Sequence, residues 1–155
     1  MTEPVPDARS PQDYSLIIEL GARYAQATDA RDFTAVADCF TDDGTLETVI
    51  PPNLMQGRAR IEEGLQANTS TVLAAQHLVT NHLYEIRGDE ASGTASFVMF
   101  RWPKRPAAGG SVTGAVAHGG IYHDWLVRTG QGWLFARRQI EILWGPGALD
   151  GPEDG

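Results

Sequence analysis

The four histidines of this 155-residue sequence are the side chains best suited to move protons near neutral pH. A neutral imidazole accepts a proton from carbon or oxygen, and its ordinary pKa of about 6.5 lies near working pH. His77 and His82 have opposite parity on a predicted strand, and so do His118 and His123, so no pair shares a strand face. With Cys39 as the single cysteine, we expect no metal site and no internal disulfide.

His77 is the best candidate for a general base. It belongs to the segment QHLVTNHLYEI, where alternation places it on one face with Val79, Asn81 and Leu83. If that face borders a pocket, His77 can take a substrate proton and Asn81 can bind the substrate beside it. A structural histidine that bonds to the backbone is the alternative, and both interpretations remain open at this point.

Asp29 is a carboxylate with no evident local task. It comes at the end of the predicted first helix, where the helix dipole favours cations rather than anions. Asp32 is better placed to cap the next helix. Asp29 is therefore free to accept a hydrogen bond from an imidazole nitrogen, unless it is simply an exposed turn residue.

Four further side chains could hold a substrate oxygen. Arg138 could bind a carbonyl, a phenolate or a leaving anion, whereas its neighbour Arg137 has the opposite parity, so one of the two points outward. Tyr122 could donate a phenolic proton, and so could Tyr24 on the first helix. Asp124 shares the parity of Tyr122 and is an alternative base. The competing interpretations are an Arg138–Asp124 ion pair and tyrosines that only pack.

Three helices are predicted before the main strands. Ser10-Pro11-Gln12-Asp13 is typical of a helix start, and the apolar spacing that follows extends the first helix to about Thr28. Asp32 begins a second helix that Asp42-Asp43-Gly44 ends, and TLETVI follows as a strand. Residues 57–67 predict a third helix.

From Val72 onward the apolar period becomes that of strands. Four segments of strand character follow one another, separated by turn residues: QHLVTNHLYEI, ASGTASFVMFRW, VAHGGIYHDWLVR and GWLFARRQIEILW. Gly119-Gly120 predicts a bulge or bend, and we expect His118 beside it to face solvent rather than the pocket. The pattern predicts an α+β fold, a cone-shaped curved sheet wrapped on three N-terminal helices around an apolar pocket.

Composition limits the classes of partner. Twelve basic and twenty acidic residues give a net charge of −8, and no basic stripe exists, so nucleic-acid binding is disfavoured. No apolar run is long enough for a bilayer, and the first residues lack a secretory pattern, so a cytoplasmic location is expected.

We expect a flexible arm at 1–13, one domain at 14–144 and a flexible acidic tail at 145–155. An aromatic strand face that no helix covers predicts a homodimer or homotrimer.

The stretches YAQATDARDFTAVADCFTDDGTLE, GRARIEEGL, HLVTNHLYEIRGDEASG and GIYHDWLVRTGQGWLFARRQI occur in an order and spacing that resemble the SnoaL-like branch of the nuclear-transport-factor-2-like superfamily. The resemblance implies a cone-shaped fold over roughly residues 14–144. Within it, the pattern is similar to lindane dehydrochlorinase and scytalone dehydratase, which use a histidine base oriented by an aspartate. His77 and Asp29 match those two residues, and Arg138 matches a pocket arginine, whereas Tyr24 replaces a cavity lysine.

The resemblance implies a lyase of the dehydratase kind, or a cyclase, that needs no cofactor and acts on a small apolar or aromatic substrate. His77 would remove a proton and Asp29 would orient it. A domain that only binds a small ligand, or assembles, is the alternative. A third possibility is proton transfer like that of ketosteroid isomerase, with Asp124 as the base.

Overall fold

The computed structural model describes residues 10–49, 53–104 and 116–146. The helices are α1 Pro11–Ala30, α2 Phe33–Ala37 and α3 Arg58–Asn68. The strands are β1 Phe40–Glu47, β2 Leu54–Gln56, β3 Val72–Arg87, β4 Glu90–Pro103, β5 Val116–Thr129 and β6 Gly132–Trp144.

The start and end of α1 follow from its sequence. The Ser10 side chain accepts a 3.3 Å hydrogen bond from the backbone N–H of Asp13, as expected of a capping residue. Ile17, Leu20 and Tyr24 are buried along one face. The helix runs two residues beyond the predicted end at Thr28 and stops where Arg31 adopts a left-handed conformation with φ 61°.

The second helix is shorter than predicted. Asp32 caps it as expected, accepting a 3.0 Å hydrogen bond from the N–H of Ala35. However, the chain enters β1 at Phe40, and the stretch 42–44 that was expected to end a helix lies inside this strand, at a register shift against β6. A Cβ at Gly44 would lie 3.0 Å from the carbonyl oxygen of Phe135, so glycine permits the close approach of the two strands.

The strands form one mixed sheet in the order β2-β1-β6-β5-β4-β3. All neighbours are antiparallel except β1 and β6, which are parallel. The sheet is curved but not closed, and the helices precede its long strands, so the predicted α+β cone is confirmed. Aromatic and aliphatic side chains of α1 and of the inner sheet face make one core.

A bulge corrects the predicted alternation of β3. The pairing with β4 shifts between Thr80 and Leu83, where Asn81 has a positive φ of 52°. The extra residue reverses the parity, so Tyr84 is buried while Leu83 is 63% exposed. Asn81 therefore does not share the face of His77: it is exposed and is not among the residues that line the cavity described below.

The two expected terminal segments fall mainly outside the described residues, which begin at 10 and end at 146. Ser10 to Asp13 of the expected arm form the start of α1. Gly145 of the expected tail packs against His118, and Pro146 borders the cavity. Within the described ranges, no helix is both long enough and apolar enough to cross a membrane.

Candidate active site

A cavity of about 310 Å³ lies between the inner face of β3 to β6 and the C-terminal ends of α1 and α3. Its walls are mainly apolar, with side chains such as Met99, Ile140 and Ile142. Phe97 and Tyr122 stack in one wall, with ring centroids 4.4 Å apart. A hollow of this kind suits a small molecule with an apolar or aromatic body.

His77 and Asp29 meet beside this cavity. Nδ1 of His77 lies 2.5 Å from Oδ1 of Asp29, and the backbone N–H of His77 donates a 2.9 Å hydrogen bond to Oδ2 of the same carboxylate. The His77 side chain is only 6% exposed. It lines the cavity, whereas Asp29 is not among the lining residues. One carboxylate thus holds both the main chain and the ring of His77.

This arrangement sets the tautomer of a neutral His77 ring. An ionised carboxylate only accepts hydrogen bonds, so the proton in the short contact with Asp29 belongs to Nδ1. Nε2 then carries the lone pair and is the ring atom able to accept a proton. If Nε2 takes one, the Asp29 carboxylate is in place to stabilise the imidazolium.

The end of α1 is fixed to the start of β3 by Arg31. Nη1 of Arg31 donates hydrogen bonds of 3.0 Å and 2.9 Å to the carbonyl oxygens of Thr69 and Val72. These bonds hold the last turn of the helix, which carries Asp29, against the strand that carries His77. Arg31 was not singled out from the sequence, and only its left-handed conformation and its distant partners reveal this task.

Arg138 and Asp124 do not reach the cavity. They form a buried bidentate ion pair, with Nε to Oδ1 2.7 Å and Nη2 to Oδ2 2.8 Å. Tyr84 donates a further 2.8 Å hydrogen bond to Asp124, which is 1% exposed. Arg138 is fully buried, and neither residue lines the cavity. The expected roles in substrate binding, and Asp124 as a base, therefore lack access to a ligand there.

The remaining part of the Arg138 guanidinium faces aromatic rings. Its Nη1 has no hydrogen-bond partner among the described residues. The guanidinium carbon lies 4.4, 4.1 and 4.0 Å from the ring centroids of Tyr24, Tyr122 and Phe135. Burial by itself opposes the charge, but Asp124 outweighs it and raises the pKa of Arg138, so this arginine stays charged. Arg137 is the arginine that points outward, where it pairs with Glu47.

Tyr24 and Tyr122 both line the cavity, as expected for residues that could contact a substrate. Burial raises the pKa of Tyr24 to about 12 and raises that of Tyr122 well above its usual value of 10. Both phenols therefore stay protonated near neutral pH. Each can offer a hydrogen bond to a ligand, but neither can act as a base.

The structure corrects the expectation for His118. This residue is buried rather than near solvent, it lines the cavity, and its Nδ1 has no partner in the described part of the chain. Burial and the positive charge of Arg101 lower the pKa of His118, so its ring is neutral near pH 7. The bulge expected at residues 119 and 120 lies on the neighbouring strand instead: these two residues pair regularly with β4, and the shift against β6 comes from one extra residue of β6, Leu143.

The other two histidines lie apart from His77. Burial, and then the charge of Arg138, lower the pKa of His82. His123 is 2.7 Å from Glu141 through Nε2, at an exposed position. Within the described ranges, no group of three or more His, Cys, Asp or Glu side chains could hold a metal ion.

Residues 9–139 match the family model of the SnoaL-like domain. The chain belongs to this family. The match covers α1 to most of β6, and hence both partners of the His77–Asp29 pair. No curated protein sequence matches this SnoaL-like domain with significance.

Several solved structures share the fold. A variant of Rv3472, described as a function unknown protein from Mycobacterium tuberculosis, is 31% identical over 81% of this chain and 73% of that one, with a TM-score of 0.68. A putative aromatic ring hydroxylase from Novosphingobium aromaticivorans is 28% identical over 86% and 93% of the two chains, with a TM-score of 0.74.

A putative scytalone dehydratase from the same bacterium is 17% identical over 89% and 92% of the two chains, and its TM-score is also 0.74. At that identity the likeness shows the fold alone. Together, family and fold support a role in catalysis or in ligand binding for this SnoaL-like domain.

Proposed function

We propose that this SnoaL-like domain is a cofactor-independent lyase, of the dehydratase kind, or a cyclase. Its substrate is a small molecule with an apolar or aromatic body. His77 is the general base and Asp29 is the residue that positions it. The observation that carries the proposal is the double contact of Asp29 with the ring and the backbone of His77, beside an apolar cavity.

The proposed chemistry begins with transfer of a substrate proton to Nε2 of His77. The electron pair left on the substrate then either expels a leaving group, which completes an elimination, or attacks a carbonyl carbon of the same molecule, which closes a ring as the C=O π pair moves to the oxygen. The leaving group or that oxygen takes the proton back from His77. Asp29 stabilises the imidazolium through Nδ1 until the proton is returned. The His77 side chain is only 6% exposed, so solvent screens this interaction less than it would at the surface.

A generic base-catalysed elimination tests the proposal without knowledge of the natural substrate. In 5-nitrobenzisoxazole, removal of the carbon-bound proton breaks the N–O bond and gives a nitrile and a coloured phenolate. We expect the wild-type protein to accelerate this reaction, and His77→Ala to lower the rate by about 10²-fold or more. His123→Ala is the matched control, because His123 is an exposed histidine that pairs with Glu141, and it should leave the rate unchanged.

Circular dichroism and thermal unfolding establish that each variant is folded. A folded His77→Ala protein that keeps the wild-type rate refutes His77 as the base. The domain would then be one that only binds its ligand, which is the function that the cavity would support without the base.

We also propose that the chain forms a homodimer or homotrimer through the outer sheet face. Leu78, Val98, Gly119 and Trp144 are in register across β3, β4, β5 and β6. Leu78 is 52% exposed and Trp144 is 47% exposed. An apolar sheet face of this kind favours a protein partner. Sedimentation equilibrium should show an oligomer that Trp144→Glu weakens, and a purely monomeric wild-type protein would contradict the proposal.

A further inference from the structure

Arg101 and His118 are two polar side chains of the cavity wall with unused hydrogen-bonding capacity. Arg101 makes no hydrogen bond or ion pair with any described residue, although it lines the cavity. His118 is 4% exposed, and its buried Nδ1 is likewise unpartnered within the described ranges. Buried polar atoms are nearly always satisfied in folded proteins, so the unpartnered Nδ1 of His118 in a cavity wall points to a missing ligand. Arg101 is partly buried and supplies a positive charge to the same wall.

The sheet register brings these two side chains together and close to His77. Met99 on β4 pairs with His77 on β3 and with His118 on β5, so the three residues form one row across the inner face. Arg101 is two residues beyond Met99 and thus shares its face. It is a diagonal neighbour of His118, about 7–8 Å away between Cα atoms in such a pair. The positive charge of Arg101 is accordingly one cause of the lowered pKa of His118.

The backbone around His118 keeps this side chain buried. Gly145, with a φ of 87°, packs against His118, and a Cβ there would come within 2.6 Å of the His118 Cβ. The chain after β6 therefore lies directly against this histidine and buries it. Burial and the nearby cation both keep the ring neutral, and a neutral ring offers one N–H donor.

We propose that Arg101 and His118 form a subsite that binds a substrate oxygen carrying or developing negative charge, such as that of a carboxylate, a phenolate or an enolate. The inference rests on the proposed function, because it assigns the substrate oxygen a place beside the same base. Proton removal at a carbon next to a carbonyl moves negative charge onto oxygen, and a guanidinium with an N–H donor stabilises that charge. The substrate class is thus an apolar or aromatic molecule with such an oxygen.

Two other arginines near the cavity already have hydrogen-bond partners. Arg31 uses Nη1 for two backbone carbonyl oxygens. Arg138 forms a buried ion pair with Asp124 through two hydrogen bonds. Of the two arginines that line the cavity in the described ranges, Arg101 is therefore the one with no hydrogen bond or ion pair, so its N–H donors are open to a ligand. The oxygen-binding role expected of Arg138 moves to Arg101.

Two probes of nearly equal shape test the subsite. In 2-naphthoate the naphthalene ring carries a carboxylate, whereas 2-isopropenylnaphthalene replaces the two oxygens with carbon. Naphthalene fluorescence gives the affinity of each probe for the wild-type protein and for Arg101→Met and His118→Phe. Arg137→Met and His123→Phe are the controls, because both residues have partners on the exposed side of the sheet. Arg101→Lys and His118→Gln retain a charge or a donor, in case the first variants fail to fold.

We expect Arg101→Met and His118→Phe each to weaken 2-naphthoate binding by about tenfold or more, with the affinity for 2-isopropenylnaphthalene unchanged. Arg101→Lys should recover part of the loss. Equal losses for both probes, no loss for either, or no binding of 2-naphthoate to the wild-type protein would overturn the proposal. Probe affinity in Arg101→Met reports on the subsite, and the rate of the 5-nitrobenzisoxazole elimination in His77→Ala reports on the base, so failure of the subsite and failure of His77 as the base are separate results.

Discussion

The Arg138–Asp124 pair and the His77–Asp29 pair differ in how completely their atoms are used. Asp124 accepts two hydrogen bonds from Arg138 and one from Tyr84, in a region without exposure to solvent. In the other pair, each oxygen of Asp29 contacts His77, whereas Nε2 of His77 has no partner within the described ranges, and the His77 ring lines the cavity. The atom of the first pair that lacks a partner, Nη1 of Arg138, belongs to a residue that does not line the cavity, whereas the second pair leaves its open atom on a ring in the cavity wall.

Burial and charge alone therefore do not mark a catalytic group. Arg138 is the largest fully buried side chain of the described residues, and its charge is matched by Asp124 and by three aromatic rings. A buried charge that is paired away from any cavity contributes to the fold rather than to ligand binding. The site is better recognised by the hydrogen-bonding capacity that remains open beside a hollow.

The largest effect on stability is expected from Asp124→Asn. This change removes the negative partner of a fully buried arginine, and breaking such a pair costs about 3–5 kcal/mol in the free energy of unfolding. Urea denaturation measures it. Replacing both residues, with Arg138→Met and Asp124→Leu, should recover most of the loss because no unpaired charge remains. A loss below about 1 kcal/mol for Asp124→Asn would contradict a structural role for the pair.

Asp29→Asn should have the reverse profile, with a smaller effect on stability and a clear effect on rate. An asparagine at this position can turn its amide N–H toward Nδ1 of His77, which moves the ring proton to Nε2 and removes the lone pair that accepts a proton. We expect the rate of the 5-nitrobenzisoxazole elimination to fall by about a hundredfold. Nitrogen NMR of the imidazole should show the proton moving from Nδ1 to Nε2.

An Asp29→Asn protein with the wild-type rate would contradict the orienting role of Asp29. If Asp124→Asn abolished the 5-nitrobenzisoxazole elimination in a protein of wild-type stability, the Arg138–Asp124 pair would have a catalytic role. Asp124 would then again be a candidate for the base.

Much of the fold was predictable because local signals and burial agree. The Ser10 and Asp32 caps, the apolar face of α1 and the turns between the four long strands act over short distances along the chain. The early start of β1 was not predictable, because residues 42–44 have the composition of a turn. Only the close approach of β6 at Gly44 makes that stretch a strand.

In the candidate site, too, some residues were placed correctly from the sequence and others were not. The carboxylate of Asp29 was free of local tasks, and its contact with His77 agrees with the resemblance to the family. Asn81 was misplaced because a one-residue bulge leaves no mark in an alternating pattern. His118 was misplaced because the glycine pair after it resembles an exposed bend. In the structure, those glycines allow close packing, since a Cβ at Gly119 would lie 2.6 Å from the Trp144 ring.

The smallest effect is expected at a third pair, Asp13 with Arg128, which lies at the edge of the fold. Nη1 and Nη2 of Arg128 are 2.7 and 2.6 Å from the Asp13 carboxylate, and Trp133 donates a 3.1 Å hydrogen bond to it. These bonds, that of Arg128 first, lower the pKa of Asp13 from 3.8 to about 2. Arg128 is 38% exposed, so solvent screens the pair far more than Arg138–Asp124.

The depressed pKa fixes the pH dependence of this third pair. Because the folded protein holds Asp13 ionised more firmly than the unfolded chain does, the stabilisation is complete above about pH 4 and is lost as the pH falls toward about 2. Asp13→Asn should therefore lower the melting temperature modestly near neutral pH, and the difference from wild type should shrink as the solution is acidified. A constant difference across that range would show that Asp13 contributes by packing or capping rather than by charge.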